Sequence, residues 1–354
     1  MDEQADSGSA WVRPHDDDVV PMIDALAWHA DYVRVAGFPV AALILDGVLD
    51  VIRHDGPVGT LLPPQTRFGD LPALRVMAAV HALAIERRAP RVALHLPTLG
   101  GTPPRRDEDR AAFRDAVVQA LVDSPGTLAA SLRQTPQTNE TGRAALLRCA
   151  LSRIPGALPV RLREIGTSAG LNLRPDHLPG LPGLEAGPLP VILDRVGCDV
   201  SPIDPTTLEG RTALSSYVWV DDVERFERLG RAIAVAERIP ATVVTQDAAD
   251  FVEAMELEEG STTVLWHSAF WLYLPSPTRA RIEEAVARLG DEATTTRRFA
   301  YAWWEWAPGT NARHAPFALS LRTWTGAADD GTNRVLAVGN SHGNDVVLAD
   351  VSGR

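Results

Sequence analysis

The stretch Arg163–Leu173, "REIGTSAGLNL", decides how the rest of the chain is read. Gly166-Thr167-Ser168-Ala169-Gly170 spells G-x-S-x-G, the strained strand-to-helix elbow that carries a hydrolase's serine nucleophile. Counted from Glu164, the same letters spell acid-x-Gly-x-x-x-Gly, close to a glycine-rich turn that cradles a nucleotide. The loop alone supports both, so its surroundings must choose.

Upstream, the pattern is helical. Ile23, Leu26, Ala27 and Ala30 mark one apolar face, and Ala41, Leu45, Val48 and Val51 a second. Leu74 to Arg87, Arg110 to Val122 and Arg143 to Ile154 continue it, with Pro63-Pro64, Pro103-Pro104 and Ser124-Pro125-Gly126 expected as loops. Downstream, strand-like runs alternate with helical ones. Strands are expected at 160–165, 191–200, 241–245, 262–266 and 298–306, with helices at 221–238, 250–257 and 277–289. Such alternation means βαβ units and a mainly parallel sheet. The runs 318–324 and 334–338 have no helix between them, so an antiparallel C-terminal hairpin is expected. The expected division is an acidic, disordered segment 1–18, a helical cap 19–157 and a doubly wound α/β domain 158–354.

Ser168 thus follows the first expected strand of the sheet, with only helices before it. A nucleophile elbow normally follows several strands, whereas a nucleotide loop belongs at the first strand-helix turn. Gly166 and Gly170 would let backbone approach a ligand, and a helix expected to start near Ala169 would aim its N–H groups at it. Asp199, after the second strand, is placed to accept from ribose hydroxyls. It lies 33 residues beyond Gly166, stretched by the Gly/Pro-rich connection 175–190. Asp247, after the third strand, is placed to accept from an adenine amino group. All three features fall at carboxyl ends of consecutive strands, where open α/β sheets bind ligands.

"REIGTSAGLNL", "GCDVSP", "TQDAADF" and "LWHSAFWLYLP" resemble the class I S-adenosylmethionine methyltransferase core over about residues 158–354. More closely, "QTNETGRAALL", "EIGTSAGLNL" and the terminal "SHG" resemble a bacterial family of unknown function over nearly the whole chain. The resemblance implies a methyltransferase-like, Rossmann-like domain with S-adenosylmethionine as cofactor. Glu164, Gly166 and Gly170 would take the first-motif positions, Asp199 the ribose acid and Asp247 the adenine-side acid. Ser168 stands where that loop usually has its middle glycine.

His267, in "WHSAFW" at the fourth strand's end, is a candidate base, and Glu305, among Trp303, Trp304 and Trp306, a candidate wall of an acceptor pocket. "PQTNETGR" adds Asn139 and Arg143 as second-tier binding residues; His314 and His342 are weaker candidates. The function expected is methyl transfer to a small molecule. The alternatives are a non-catalytic S-adenosylmethionine- or nucleotide-binding protein, or a serine hydrolase using Ser168 with Asp247 and either His267 or His342.

Net charge is -12 with pI about 5.2, which disfavours nucleic-acid and anionic-membrane partners. Two distant cysteines, Cys149 and Cys198, are expected as reduced thiols. No metal-ligand spacing is present. The opening decapeptide MDEQADSGSA lacks the apolar core of a signal peptide, so a cytoplasmic location is expected. The sequence carries no signal for oligomeric state.

Overall fold

The structure is a computed structural model that describes residues 14–15, 17–54, 58–137, 139–156, 158–185, 187–307, 317–326, 330–340, 343 and 345–349. Most of the segment 1–18, together with His314 and His342, lies outside these residues. The chain forms two compact units: residues 1–138 with 212–226, and residues 139–211 with 227–354.

The first unit is helical. It contains α1 (Met22–Val35), α2 (Pro39–Arg53), α3 (Pro72–Ile85), α4 (Pro90–Ala93), α5 (Asp107–Asp123) and α6 (Pro125–Arg133). A two-stranded antiparallel sheet joins β1 (Val19–Pro21) to β2 (Gln65–Arg67). Four of these helices carry proline in the first turn, where its missing N–H costs nothing. Pro125 therefore starts a helix where the sequence pattern suggested only a loop. The window Phe68–Ile85 is long and apolar enough to cross a membrane by composition. Its Val76, Val80 and Leu83 are instead buried in this unit's core, beside Leu26, Ile44, Leu45 and Val48.

Trp219 and Val220 pack into the same core, and a buried histidine fixes their segment. His81 Nδ1 lies 3.1 Å from the Val218 carbonyl and Nε2 lies 3.0 Å from Thr98 Oγ1. The Thr98 N–H donates to the Val220 carbonyl at 3.1 Å. A neutral ring satisfies both contacts, Nδ1–H donating and Nε2 accepting.

The second unit is α/β. In chain order it comprises α7 (Ala144–Ser152), β3 (Val160–Ile165), β4 (Ile192–Asp199), α8 (Leu208–Ser216), α9 (Val223–Ala236), β5 (Thr242–Thr245) and α10 (Ala248–Glu253). Then come β6 (Ser261–Ser268), α11 (Ser276–Glu292), β7 (Arg297–Trp306), β8 (Phe317–Trp324), β9 (Arg334–Gly339) and β10 (Val347–Leu348). The unit boundaries fall inside α8 and α9. The sheet order is β10-β9-β8-β7-β6-β3-β4-β5. The five strands β5, β4, β3, β6 and β7 are parallel, and β8, β9 and β10 extend the sheet antiparallel. The closing strands are thus a meander from β7 onward, wider than the expected hairpin of β8 and β9.

Strand alternation splits the core. Val264, Trp266, Ala302 and Trp304 point to a cluster that includes Leu146 and Leu147 of α7. Leu265, Phe299 and Tyr301 point to the other face, against Ile282, Val286 and Leu289 of α11. The chain runs from β3 outward to β4 and β5, then returns to β6 on the opposite side of β3. That reversal makes the carboxyl edge between β3 and β6 the sheet's topological switch point.

Burial lowers the His81 pKa from 6.5 to about 4, partly offset by its backbone hydrogen bonds. Protonation therefore favours the unfolded chain, and this residue's stabilisation is present above pH 6.5 and lost as pH falls toward 4. Replacing His81 by Gln should flatten that part of the stability curve. Urea unfolding between pH 4 and 7 measures it; an unchanged pH slope in the variant contradicts the assignment.

Candidate functional site

The β3 loop runs along the switch point, and its conformation is expensive. Gly166 (φ 63), Ser168 (φ 55) and Gly170 (φ 66) are all left-handed within five residues. Glycine adopts this region freely, but a residue with a Cβ pays about 1–3 kcal/mol for it at a strained site. The rest of the structure must therefore hold Ser168 in place.

Asp199, ending β4, does so. Its Oδ2 accepts from the Ser168 N–H at 2.8 Å and its Oδ1 from the Ser201 N–H at 2.9 Å. The Ile203 N–H returns to the Ser168 carbonyl at 3.3 Å. Asn139, itself at φ 21, accepts from the Leu171 N–H at 3.2 Å. Arg174 donates from Nη1 to the Gly170 carbonyl at 2.7 Å and from Nε to the Ile239 carbonyl at 2.6 Å. Arg143 Nη1 donates to the Ser268 carbonyl at the end of β6, 3.3 Å away. Asn139, Ser168, Gly170 and Asp199, nominated from sequence, thus share a hydrogen-bonded collar around the β3 loop, while Arg143 bonds to the end of β6.

The helix expected from Ala169 is absent. A single 3-10 turn, Leu171–Leu173, follows Gly170, and a second, Pro175–His177, follows that. Pro175 cannot continue a helix, and Leu171 and Leu173 are both fully buried, so the segment is covered on both sides. Among the described residues, no α-helix follows Gly170 to aim its N–H groups at this loop. The two loop glycines also meet protein. A Cβ on Gly166 would lie 2.3 Å from the Phe270 ring, and one on Gly170 2.7 Å from Val243 Cγ2.

Glu164 is buried in β3 and accepts from Thr167 Oγ1 at 2.5 Å. Burial pushes its pKa up to about 8, against the pull of that hydroxyl and of Arg174. At neutral pH it is mostly a neutral acid. Asp247 caps α10, accepting from the N–H groups of Ala249 at 2.8 Å and Asp250 at 3.3 Å.

His267 and Glu305 lie on the other face of the sheet from Glu164, as strand alternation requires. Both are buried. Glu305 Oε1 takes three contacts: His267 Nδ1 at 2.8 Å, the Phe270 N–H at 2.8 Å and the Trp271 N–H at 3.1 Å. His267 Nε2 meets Tyr301 Oη at 2.7 Å, and the Trp271 ring stacks on the imidazole with centroids 5.2 Å apart. Both ring nitrogens are thus engaged within the protein. Burial and the nearby Glu305 carboxylate raise the Tyr301 pKa. Tyr301 was not singled out from sequence, although 301, 303 and 305 share one strand face. Phe270 was also missed, because nothing local shows that its ring lands on Gly166.

Among the described residues, Ser168 Oγ, Asn172 Oδ1 and Glu305 Oε2 are buried side-chain atoms of this region with no partner. Strained backbone beside orphaned polar groups is the pattern of a functional site. A cleft of about 340 Å3 lies elsewhere, in the helical unit, lined by Met22, Thr66, Arg67, Arg75 and Leu132 among others. It contains none of the residues nominated from sequence.

The molecule is therefore a mixed α/β protein with a mostly parallel central sheet, and left-handed Ser168 and Ala269 follow the adjacent strands β3 and β6 at its switch point. The chain belongs to the family described as "Uncharacterized protein conserved in bacteria (DUF2332)", whose model matches residues 24–347. Searches of curated proteins and of solved structures found no match.

Two outcomes follow. Glu164 is protonated more readily folded than unfolded, where its pKa is 4.5. Its contribution to stability is full below pH 4.5 and lost as pH rises through about 8. Glu164→Gln should gain on the parent over this range, by a few kcal/mol at the alkaline end; equal pH dependence of the two melting temperatures contradicts this. Ser168→Gly removes both the left-handed penalty and the orphaned hydroxyl. It should melt at or above the parent temperature, and a clear drop would show that Oγ contributes to folding.

Proposed function

We propose that the protein is a methyltransferase-like enzyme that binds S-adenosylmethionine along the carboxyl edge of β3, β4 and β5 and methylates a small molecule. The observation that carries this reading is the direct contact of the Asp199 carboxylate with the β3 loop, at the switch point and in strand order with Asp247. Each Asp199 oxygen accepts one backbone N–H and has capacity for a second bond, such as one from a ribose hydroxyl. Asp247 spends Oδ1 on its helix cap. Ser168 Oγ, buried and without a partner, is a donor and acceptor suited to the polar tail of such a cofactor.

S-adenosylmethionine supplies an electrophilic methyl group when bound. The chain's own task is to hold donor and acceptor in line and exclude water, which supplies much of the acceleration. A free general base is not required when the acceptor atom is already basic. This agrees with His267, whose ring nitrogens are both spent on Glu305 and Tyr301.

One specific observation favours a second reading. Ser168 has a left-handed backbone within G-x-S-x-G, the strained conformation of a hydrolase's nucleophile elbow. The reading needs a free base, and His267 does not offer one in this arrangement.

Calorimetry against S-adenosylmethionine, S-adenosylhomocysteine and NAD separates the two. The expected result is binding of one or both sulfur nucleosides, weakened by Asp199→Ala by about 1.5–3 kcal/mol. No heat and no thermal stabilisation with either would overturn the proposal. Stoichiometric fluorophosphonate labelling at Ser168 would establish the hydrolase instead.

A further inference from the structure

We propose that Phe270 is a gate over the β3 loop, latched by Glu305, and that a ligand binding beside Gly166 must displace it. The inference deepens the functional reading above and rests on it for the identity of the ligand. Three Phe270 ring carbons lie within 2.6 Å of the position a Gly166 Cβ would take. The ring of Phe270, which follows β6, is therefore seated directly on the backbone of Gly166, which follows β3.

The seat is held under strain. Ala269, immediately before the gate, sits at φ 47, a region a residue with a Cβ enters only at a cost. Its N–H is fixed to the Trp304 carbonyl at 2.8 Å. The next two N–H groups, of Phe270 and Trp271, both donate to the single oxygen Glu305 Oε1, which His267 Nδ1 also contacts. Oε2 of the same buried carboxylate has no partner. Three donors crowd one oxygen while the other is orphaned, so a second arrangement of the segment that supplied Oε2 with a donor would gain what this one forgoes. Only half-buried Phe270 and Trp271 need move for it; His267 and Tyr301 stay in the core. Such a segment, strained in one position and with a better-satisfied carboxylate in another, has the properties of a two-position element.

A closed gate taxes affinity by the fraction of time it is open: if open one tenth of the time, removing it tightens binding about tenfold. Phe270→Ala removes the ring, Phe270→Leu shortens it should the alanine variant fold poorly, and Glu305→Gln weakens the latch. Ligand-free hydrogen exchange reads the gate itself. The amides of residues 166–171 should exchange about tenfold or more faster in these variants, while those of β6 residues 262–266 stay as in the parent. Unchanged exchange at 166–171 in a folded Phe270 variant overturns the gate, whatever binds. The second reading uses S-adenosylhomocysteine as probe. Tighter binding to Phe270→Ala than to the parent supports the gate. Equal or weaker binding overturns it and makes Phe270 a ligand contact or bystander. If neither protein binds the probe, the functional reading fails, and the exchange rates alone decide the gate.

Discussion

The bonding of the Asp199 carboxylate to the N–H groups of Ser168 and Ser201 is the constraint on which the site depends. Hydrogen bonds to a charged acceptor are worth about 1.5–3 kcal/mol each, the same order as the cost of holding Ser168 left-handed. The bond is to the backbone N–H of residue 168, so it holds the left-handed turn itself and offsets the cost that serine, unlike glycine, pays there. With it, the β3 loop and the β4 end are tied together, and Asn139 and Arg174 bond the turn that follows.

A second carboxylate repeats the device across the switch point. Glu305 gathers the N–H groups of Phe270 and Trp271 as Asp199 gathers those of Ser168 and Ser201. The two differ in balance. Asp199 uses both oxygens, whereas Glu305 loads one and leaves the other bare. Under the gate proposal, that unused oxygen on the β6 side is what a second arrangement of Phe270 and Trp271 would satisfy. Glu164, neutral at pH 7 and bonded to Thr167, adds no charge on the β3 side.

The regular elements of the sheet were legible because two-residue alternation and helical periodicity are local. The expected strand 160–165 matches β3 (Val160–Ile165), and the apolar face at Leu229, Ile233 and Ala236 marked α9 (Val223–Ala236). What was not legible depends on distant partners. The helix expected at Ala169 fails because Leu171 and Leu173 are both drawn into the core and Pro175 ends the segment, an outcome set by what covers the loop. Helix α8 (Leu208–Ser216) went unseen because its apolar stripe is thin, with Leu208 exposed and Leu214 buried. Among the residues nominated from sequence, Asp199 and Asn139 bond to the β3 loop and Arg143 to the end of β6, and each stood out by loop position and residue type. Phe270 and Tyr301 did not, since their roles exist only once β3, β6 and β7 lie side by side.

The account stands on a ligand lying along the carboxyl edge of β3, β4 and β5. A crystal structure of the protein grown with S-adenosylhomocysteine tests this most directly. The account predicts the ribose hydroxyls within hydrogen-bonding distance of Asp199, the adenine beside Asp247, and the ligand's tail against the Gly166–Gly170 turn with the Phe270 ring displaced. Ligand bound in the cleft of the helical unit instead, with the β3 collar unchanged and Phe270 still seated on Gly166, would contradict it.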